Sequence, residues 1–249
     1  MSKSVEKIKK SCDGKVKTKI TKFYPIGRTS NKSFSGTFEG NTKTISNLTI
    51  DMTNETNSSD KDYVGLFGYS KGTIKGFTLD NVDIKGERFI GGITGNLYDG
   101  TISEVIVKGT IEGDSFIGGI IGDYYSSSIK ISSVIVNANV SGNSYVGPVM
   151  SSPSHADGAI IEGGNIINGA LNNNNSGKNF YYVDGVTAKE YYNATKIDKQ
   201  YLHNLSYYSQ LKDSSGNPII ETEATGDVNG TGYVFGYDSN NNIIIERKN

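Results

Sequence analysis

The sequence predicts an all-β chain wound as a parallel β-helix, with coils of about 27 residues and a small mixed C-terminal region. Three observations carry this. First, a Gly-rich phrase recurs as Tyr63-Val-Gly-Leu-Phe-Gly68, Phe89-Ile-Gly-Gly-Ile-Thr-Gly95 and Phe116-Ile-Gly-Gly-Ile-Ile-Gly122, with a weaker copy at Tyr145–Ser151. Its closing small residue advances by 27, 27 and 29 positions. A period in this range marks stacked units, none of which can bury its apolar face alone. Second, each phrase is followed by another whose apolar positions align. Third, no unit holds the ten or so residues of helical pattern that a βαβ repeat requires.

The second phrase reads Thr44–Ile50, Thr73–Leu79, Thr101–Val107 and Lys130–Val136. It aligns Ile45 with Ile74, Ile102 and Ile131; Leu48 with Phe77, Val105 and Val134; and Ile50 with Leu79, Val107 and Val136. The last two columns are two residues apart, the period of a strand. The first column lies three residues earlier, so a corner is expected at Asn47, Gly76, Glu104 and Ser133, types suited to turns. A third short strand is expected to end at Ile84, Ile111 and Val140. Phe34–Gly40 reads as an earlier copy of the Gly-rich phrase, and Tyr63, Phe89, Phe116 and Tyr145 as a structural column of aromatic rings.

Residues 1–22 read as a disordered or capping segment, 23–180 as the β-helix and 181–249 as a C-terminal cap or accessory region. In the last part Tyr becomes dense. Ile197, Tyr201, Leu202, Leu205, Tyr208 and Leu211 predict a helix over 198–211, with Thr187 and Glu190 as a capping box before it. Tyr233–Tyr237 and Ile243–Glu246 predict a hairpin around Asp238–Asn242. The region is expected to cap the open end of the helix, where a bare coil leaves an unpaired edge.

Pro25-Ile-Gly27, Phe34-Ser-Gly-Thr-Phe-Glu-Gly-Asn41, Thr44-Ile-Ser-Asn-Leu-Thr-Ile50 and the Gly-Leu-Phe-Gly68 copies resemble the GLUG-repeat domains of bacterial cell-surface proteins. The same group includes the non-catalytic N-terminal region of M26-type, immunoglobulin-A-cleaving metallopeptidases. The resemblance covers roughly residues 23–149. It implies a secreted or surface-exposed β-helical module, adhesin-like or protease-associated, and usually part of a longer protein.

Bulk composition is in keeping with a narrow core: 35% hydrophobic residues and 31 Gly in 249 residues. The net charge of −1 gives no general case for nucleic acid. The lysines before position 22 read as a solvated end. Cys12 is the only cysteine, so no disulfide closes within the chain. No stretch approaches the roughly 18 apolar residues of a membrane span. Met1–Ile20 lacks an apolar leader core, so an export signal is not legible in this sequence.

No catalytic set and no cofactor are read from the sequence. His155 and His203 do not form the paired-histidine motif of a metalloprotease. A carbohydrate-binding or carbohydrate-active β-helix is the alternative function; for an active one, paired carboxyls are not in register, since Asp123 matches Asn96, not Asp99. Ice binding needs aligned Thr ranks, and Lys130 breaks the column of Thr44, Thr73 and Thr101. Asp227, Asn229, Thr231 and Asp238 are a weak calcium candidate, with Thr where Asp is usual and a strand after the loop. The site favoured here is an edge holding Tyr69, Asn96, Tyr98, Asp99, Asp123, Tyr124 and Tyr125, all just after the closing glycines. Tyr rings beside amides and carboxylates suit a glycan or a cell-surface protein of the host. Tyr98 and Tyr124 are expected to be neighbours in adjacent coils.

Overall fold

A computed structural model describes residues 22–151 and, beyond them, 159–163, 166–167, 180–183, 195–198, 200, 204–213, 215–220, 232–240 and 242–247. The described chain is predominantly β. Three short strands come first, β1 (Thr37–Glu39), β2 (Thr44–Ser46) and β3 (Thr49–Asp51). The repeats supply β4 (Phe67–Ser70), β5 (Thr73–Lys85), β6 (Arg88–Gly91), β7 (Thr94–Leu97), β8 (Thr101–Glu112), β9 (Ser115–Gly118), β10 (Ile121–Tyr124), β11 (Lys130–Ser141) and β12 (Ser144–Gly147). Then follow β13 (Ala159–Gly163), β14 (Ile166–Ile167), β15 (Phe180–Val183), β16 (Thr195–Ile197), a single helical turn α1 (Leu205–Tyr208), β17 (Tyr233–Tyr237) and β18 (Ile243–Arg247).

The repeat strands fall into three parallel sheets, visited in a fixed order. A ten-stranded sheet has the path β1-β5-β8-β11-β13-β15-β16, with β2 and β3 also on β5 and β14 on β11. The two short sheets are β4-β7-β10 and β6-β9-β12. Each strand therefore pairs with its counterpart one repeat away. Ile74, Ile102 and Ile131 lie in one ladder, as do Phe77, Val105 and Val134, and Leu79, Val107 and Val136. These side chains are buried throughout. Fully burying one such aliphatic side chain stabilises the fold by about 1.5–3 kcal/mol, so the ladders account for the in-register pairing.

The first repeat departs from the expected register. Ile45 pairs with Leu79 rather than Ile74, and Phe38 takes the place opposite Ile74. Ile50 lies opposite Ile84, in the column of Ile111 and Val140. The cause is Gly40–Lys43, which bulges out between β1 and β2 with Asn41 and Thr42 at positive φ. Phe34 likewise bridges Ser70, while Ile26 of the Pro-Ile-Gly phrase bridges Phe67. Pro25–Gly27, not Phe34–Gly40, therefore stands in the place of the Gly-rich phrase. The corner column is confirmed at Gly76, Glu104 and Ser133, all at positive φ. Asn47, also at positive φ, belongs to another corner, where its side-chain oxygen accepts from Asn81 Nδ2 at 2.7 Å.

The strand partition also differs. Ile84, Ile111 and Val140 end the long strands β5, β8 and β11 and do not form a separate strand. The third strand of each unit comes instead from the Gly-rich phrase, which divides into β6 and β7, and into β9 and β10. In the first case β6 ends at Gly91 and the corner is Gly92-Ile93; a Cβ on Gly91 would lie 2.3 Å from the Thr94 carbonyl oxygen. A continuous strand cannot make that approach with any larger residue.

Tyr63, Phe89, Phe116 and Tyr145 all have φ between 52° and 61°, a conformation rare for bulky side chains. Their rings form one continuous stack, with centroids 4.6, 4.9 and 4.7 Å apart and interplanar angles of 11°, 21° and 5°. The left-handed backbone presses against the next repeat. A Cβ on Gly95 would lie 2.3 Å from the Tyr63 carbonyl carbon, and one on Gly122 would lie 2.4 Å from that of Phe89. The closing glycine of the phrase is thus the space that the aromatic corner needs.

The C-terminal hairpin forms as expected, with Tyr233 opposite Arg247 and Tyr237 opposite Ile243. The helix is far shorter than 198–211: α1 is one turn, and Ile197 belongs to β16. Asn204 caps it by accepting from the Tyr207 N–H at 3.0 Å. Phe235, Ile243 and Ile245 join Leu205, Ile219 and Ile220 in an apolar cluster with Ile106 of β8, Ile135 of β11 and Ile197 of β16. Ile106 and Ile135 point away from the core that holds their neighbours Val105, Val107, Val134 and Val136. The hairpin covers a flank of β8 and β11. Thr187, Glu190, His155, His203 and residues 1–21 lie outside the described residues.

Candidate functional site

Of the seven residues singled out in the sequence, six follow the short sheet β4-β7-β10 in three columns, and Asp99 lies beside the third. Tyr69, Asn96 and Asp123 share one register position. Ser70, Leu97 and Tyr124 share the next. Backbone bonds then extend the ladder by one residue: the Tyr98 N–H donates to Ser70 O at 2.8 Å and the Tyr125 N–H to Leu97 O at 3.3 Å. Lys71, Tyr98 and Tyr125 therefore form the third column.

The first column lies beside the left-handed aromatic stack. The Tyr69 ring stacks on Tyr63 at 4.4 Å and 27°. Burial, then the Tyr63 hydroxyl, pushes the Tyr69 phenol pKa up. Asn96 is buried and aligned with Asp123 as expected. Burial raises the Asp123 carboxyl pKa, opposed by a hydrogen bond from the Tyr124 backbone. The middle column faces inward. Leu97 is fully buried and Tyr124 packs against the same core.

The third column faces solvent. Tyr98 and Tyr125 stack almost parallel, with centroids 4.6 Å apart and planes 6° apart. Their exposures are 37% and 73%. Lys71 Nζ lies 4.5 Å from the Tyr98 ring centroid, on a cation–π contact. The ring of Tyr98 thus stacks on Tyr125, while Tyr124 lies one register position away, opposite Leu97. One residue along a strand reverses the direction of a side chain, and Tyr124 shares its register with an inward leucine. Asp99 is exposed beside this column, and its Oδ1 accepts from the Gly100 N–H at 2.8 Å. Asp99 and Asp123 do not meet in one register position. Lys71 escaped the sequence reading, yet the signal was present: Lys71, Tyr98 and Tyr125 each stand three residues after a closing glycine.

The edge therefore presents two ordered phenol rings backed by a cation, with Ser126 and Ser128 next in the chain. Those two hydroxyls are 2.7 Å apart. Such an arrangement offers stacking and hydrogen-bonding contacts. A separate cleft of about 590 Å³ is lined by the first repeat, including Phe23, Ile45, Leu48 and Asp51.

Of the calcium candidate, Asp227, Asn229 and Thr231 lie outside the described residues. Asp238 is engaged in the hairpin turn, where its carboxylate accepts from the Asn240 and Asn242 N–H groups at 2.8 and 2.9 Å. Among the described residues no group of three or more His, Cys, Asp or Glu is placed to hold a metal ion. Among them, too, no helix is long and apolar enough to cross a membrane.

No family model matches the chain, and no solved structure does. Over 89 residues it is 37% identical to Halomucin of Haloquadratum walsbyi (strain DSM 16790 / HBSQ001). That stretch is 36% of this chain and 1% of the relative, so the chain spans only a very small part of it.

Proposed function

We propose that this chain is a non-enzymatic, surface-exposed module in which the three parallel sheets are the faces of one β-helix, acting as a spacer that presents a lateral binding surface. The observation that carries the reading is the recurrence of three sheets in the same order, with like side chains in register across successive repeats. A unit of this kind adds length at about 4.8 Å per repeat, and its outward positions become ladders of repeated groups. The GLUG-like phrases support an adhesin-like or protease-associated protein. Likeness to a protein bearing the name of a mucin supports an extracellular or cell-surface setting.

A second reading, carbohydrate binding, is favoured by the Lys71, Tyr98 and Tyr125 column. Both readings make the edge a contact surface and not a reaction centre. Small-angle scattering should return an elongated particle. The purified chain should cleave neither immunoglobulin nor polygalacturonate. Turnover proportional to protein, lost on changing one acidic residue, would overturn the non-enzymatic assignment.

A further inference from the structure

Among the described residues, the Lys71, Tyr98 and Tyr125 column ends at Tyr125. Among them, too, β10 is the last strand of its sheet, whereas the sheet of β6 and β9 runs one repeat further to β12. Beyond β10, Ile121 makes only an isolated bridge to Met150. The inner aromatic stack follows the longer sheet and gains Tyr145 as a further ring. Among the described residues the outer column has no further ring, and Tyr125 is 73% exposed.

Its ring is nonetheless held in place. Tyr98 covers one face at 4.6 Å with a 6° angle, and Lys71 covers the far side of Tyr98. Because the stack is nearly parallel, the uncovered face of Tyr125 points along the column, where the next rung would lie. A flat, pre-ordered aromatic face costs a ligand little side-chain freedom. Hydrogen-bonding groups stand beside it: the Ser126 and Ser128 hydroxyls follow Tyr125 in the chain, and the exposed Asp99 carboxylate follows Tyr98.

We propose that Tyr125 is a saccharide seat, on which a β-linked hexopyranose ring with equatorial substituents stacks as the next rung of the column. Such a ring presents a flat face of axial C–H groups to the phenol and directs its hydroxyls outward, toward the serine hydroxyls and Asp99. Lys71 acts through Tyr98, fixing the support and not touching the sugar. This deepens the carbohydrate-binding reading above and rests on it.

Saturation-transfer NMR on the full 249-residue chain tests the seat, with methyl β-glucopyranoside, cellotetraose and diacetylchitobiose as probes. In the wild type, saturation is expected on the axial ring protons of at least one probe. Tyr125→Phe keeps the ring and should keep the signal. Tyr125→Ala should lower affinity at least about tenfold, with an unchanged circular dichroism spectrum because the side chain lies outside the core. Tyr98→Ala should weaken binding to a smaller extent by removing the support. Absence of transfer to all three probes, or equal transfer in Tyr125→Ala, overturns the seat. An elongated scattering profile with no transfer sinks this inference while leaving the β-helical module standing; loss of the elongated profile sinks the module itself.

Discussion

The phenol of Tyr233 donates a hydrogen bond at 2.8 Å to the carboxylate of Glu39, a residue 194 positions earlier in the chain. Arg247 of the same hairpin completes the clasp, with Nη1 at 3.2 Å from Glu39 Oε1 and at 2.6 Å from Asn41 Oδ1. Lys75 and Arg247 both lie under 6 Å from the Tyr233 ring centroid. The C-terminal hairpin is therefore fastened to the first repeat by polar groups and to β8 and β11 by apolar ones.

This clasp is expected to loosen in acid. The Tyr233 hydrogen bond is the main cause that lowers the Glu39 pKa; burial opposes it, and the charges of Lys75 and Arg247 lower it further. A carboxyl with a depressed folded pKa contributes stability above its unfolded pKa and loses it as pH falls through the folded value. Hydrogen exchange of β17 and β18 should accordingly quicken below about pH 4, near and beneath the ordinary Glu range. In Glu39→Gln that dependence should flatten. An unchanged pH profile in the variant would remove Glu39 from the clasp.

The long sheet is expected to fail at a single buried charge. Ile102 is fully buried between Ile74 and Ile131. Ile102→Asp places an unpaired carboxylate in that ladder, and Ile102→Ala leaves a cavity worth about 2–5 kcal/mol. Thermal melts followed by circular dichroism should show the Ala variant destabilised and the Asp variant more so. A wild-type melt for Ile102→Asp would mean that the register is wrong.

Much of this arrangement was legible because the repeat writes the same column several times. Ile74, Ile102 and Ile131 could be aligned by eye, and so could the Tyr63, Phe89, Phe116 and Tyr145 stack. Ile45 was misassigned because a bulge at Gly40–Lys43 shifts the first repeat without disturbing its phrase. The split of the Gly-rich phrase into two strands was hidden for a different reason: Gly91-Gly92 reads equally well as the interior of a glycine-rich strand. At the candidate edge, offsets from the closing glycine separate Tyr124 from Tyr125, but only the strand register shows which of them faces solvent. The flank under the hairpin left one trace, the run of three apolar residues at Val105–Val107 and Val134–Val136 where strict alternation would place a polar residue in the middle.

The glycine that closes each phrase is expected to tolerate no side chain. In Gly95→Ala and Gly122→Ala the new Cβ meets backbone, not a movable side chain. Overpacking of this kind typically costs about 1–3 kcal/mol. Chemical denaturation should place both variants below wild type. A substitution to Ala at Gly216, where nothing lies within 4 Å of the added Cβ but φ is 84°, tests backbone strain without a clash and should cost less.

Asp123 is expected to weaken the fold at neutral pH. Burial raises its pKa, so the folded state holds the proton more tightly than the unfolded chain. Stability should therefore fall as pH rises from the ordinary carboxylate range through the raised pKa, and the full cost is present above it. Asp123→Asn removes the charge while keeping the shape. The variant should melt higher than wild type at pH 7, and the difference should vanish at pH 3. A lower melting temperature at pH 7 would indicate that the carboxylate is stabilised by its surroundings.

The outward isoleucines give the most selective test of how the flank is built. Ile106 and Ile135 are buried only because Phe235, Ile243, Ile245 and their neighbours cover them. Their strand neighbours Val105, Val107, Val134 and Val136 belong to the separate interior cluster. A charge at Ile135 therefore meets the hairpin and not the interior. In Ile135→Glu, docking of β17 and β18 should be lost, since an unpaired carboxylate under an apolar cover costs several kcal/mol. The parallel sheets should remain, because the ladders of Ile74, Ile102 and Ile131 are untouched. Hydrogen exchange should then show fast exchange confined to 233–237 and 243–247, with slow exchange retained in β5 and β8. Collapse of protection in β5 and β8 as well would show that the hairpin is required for the sheets to form, and that the flank and the interior unfold as one unit.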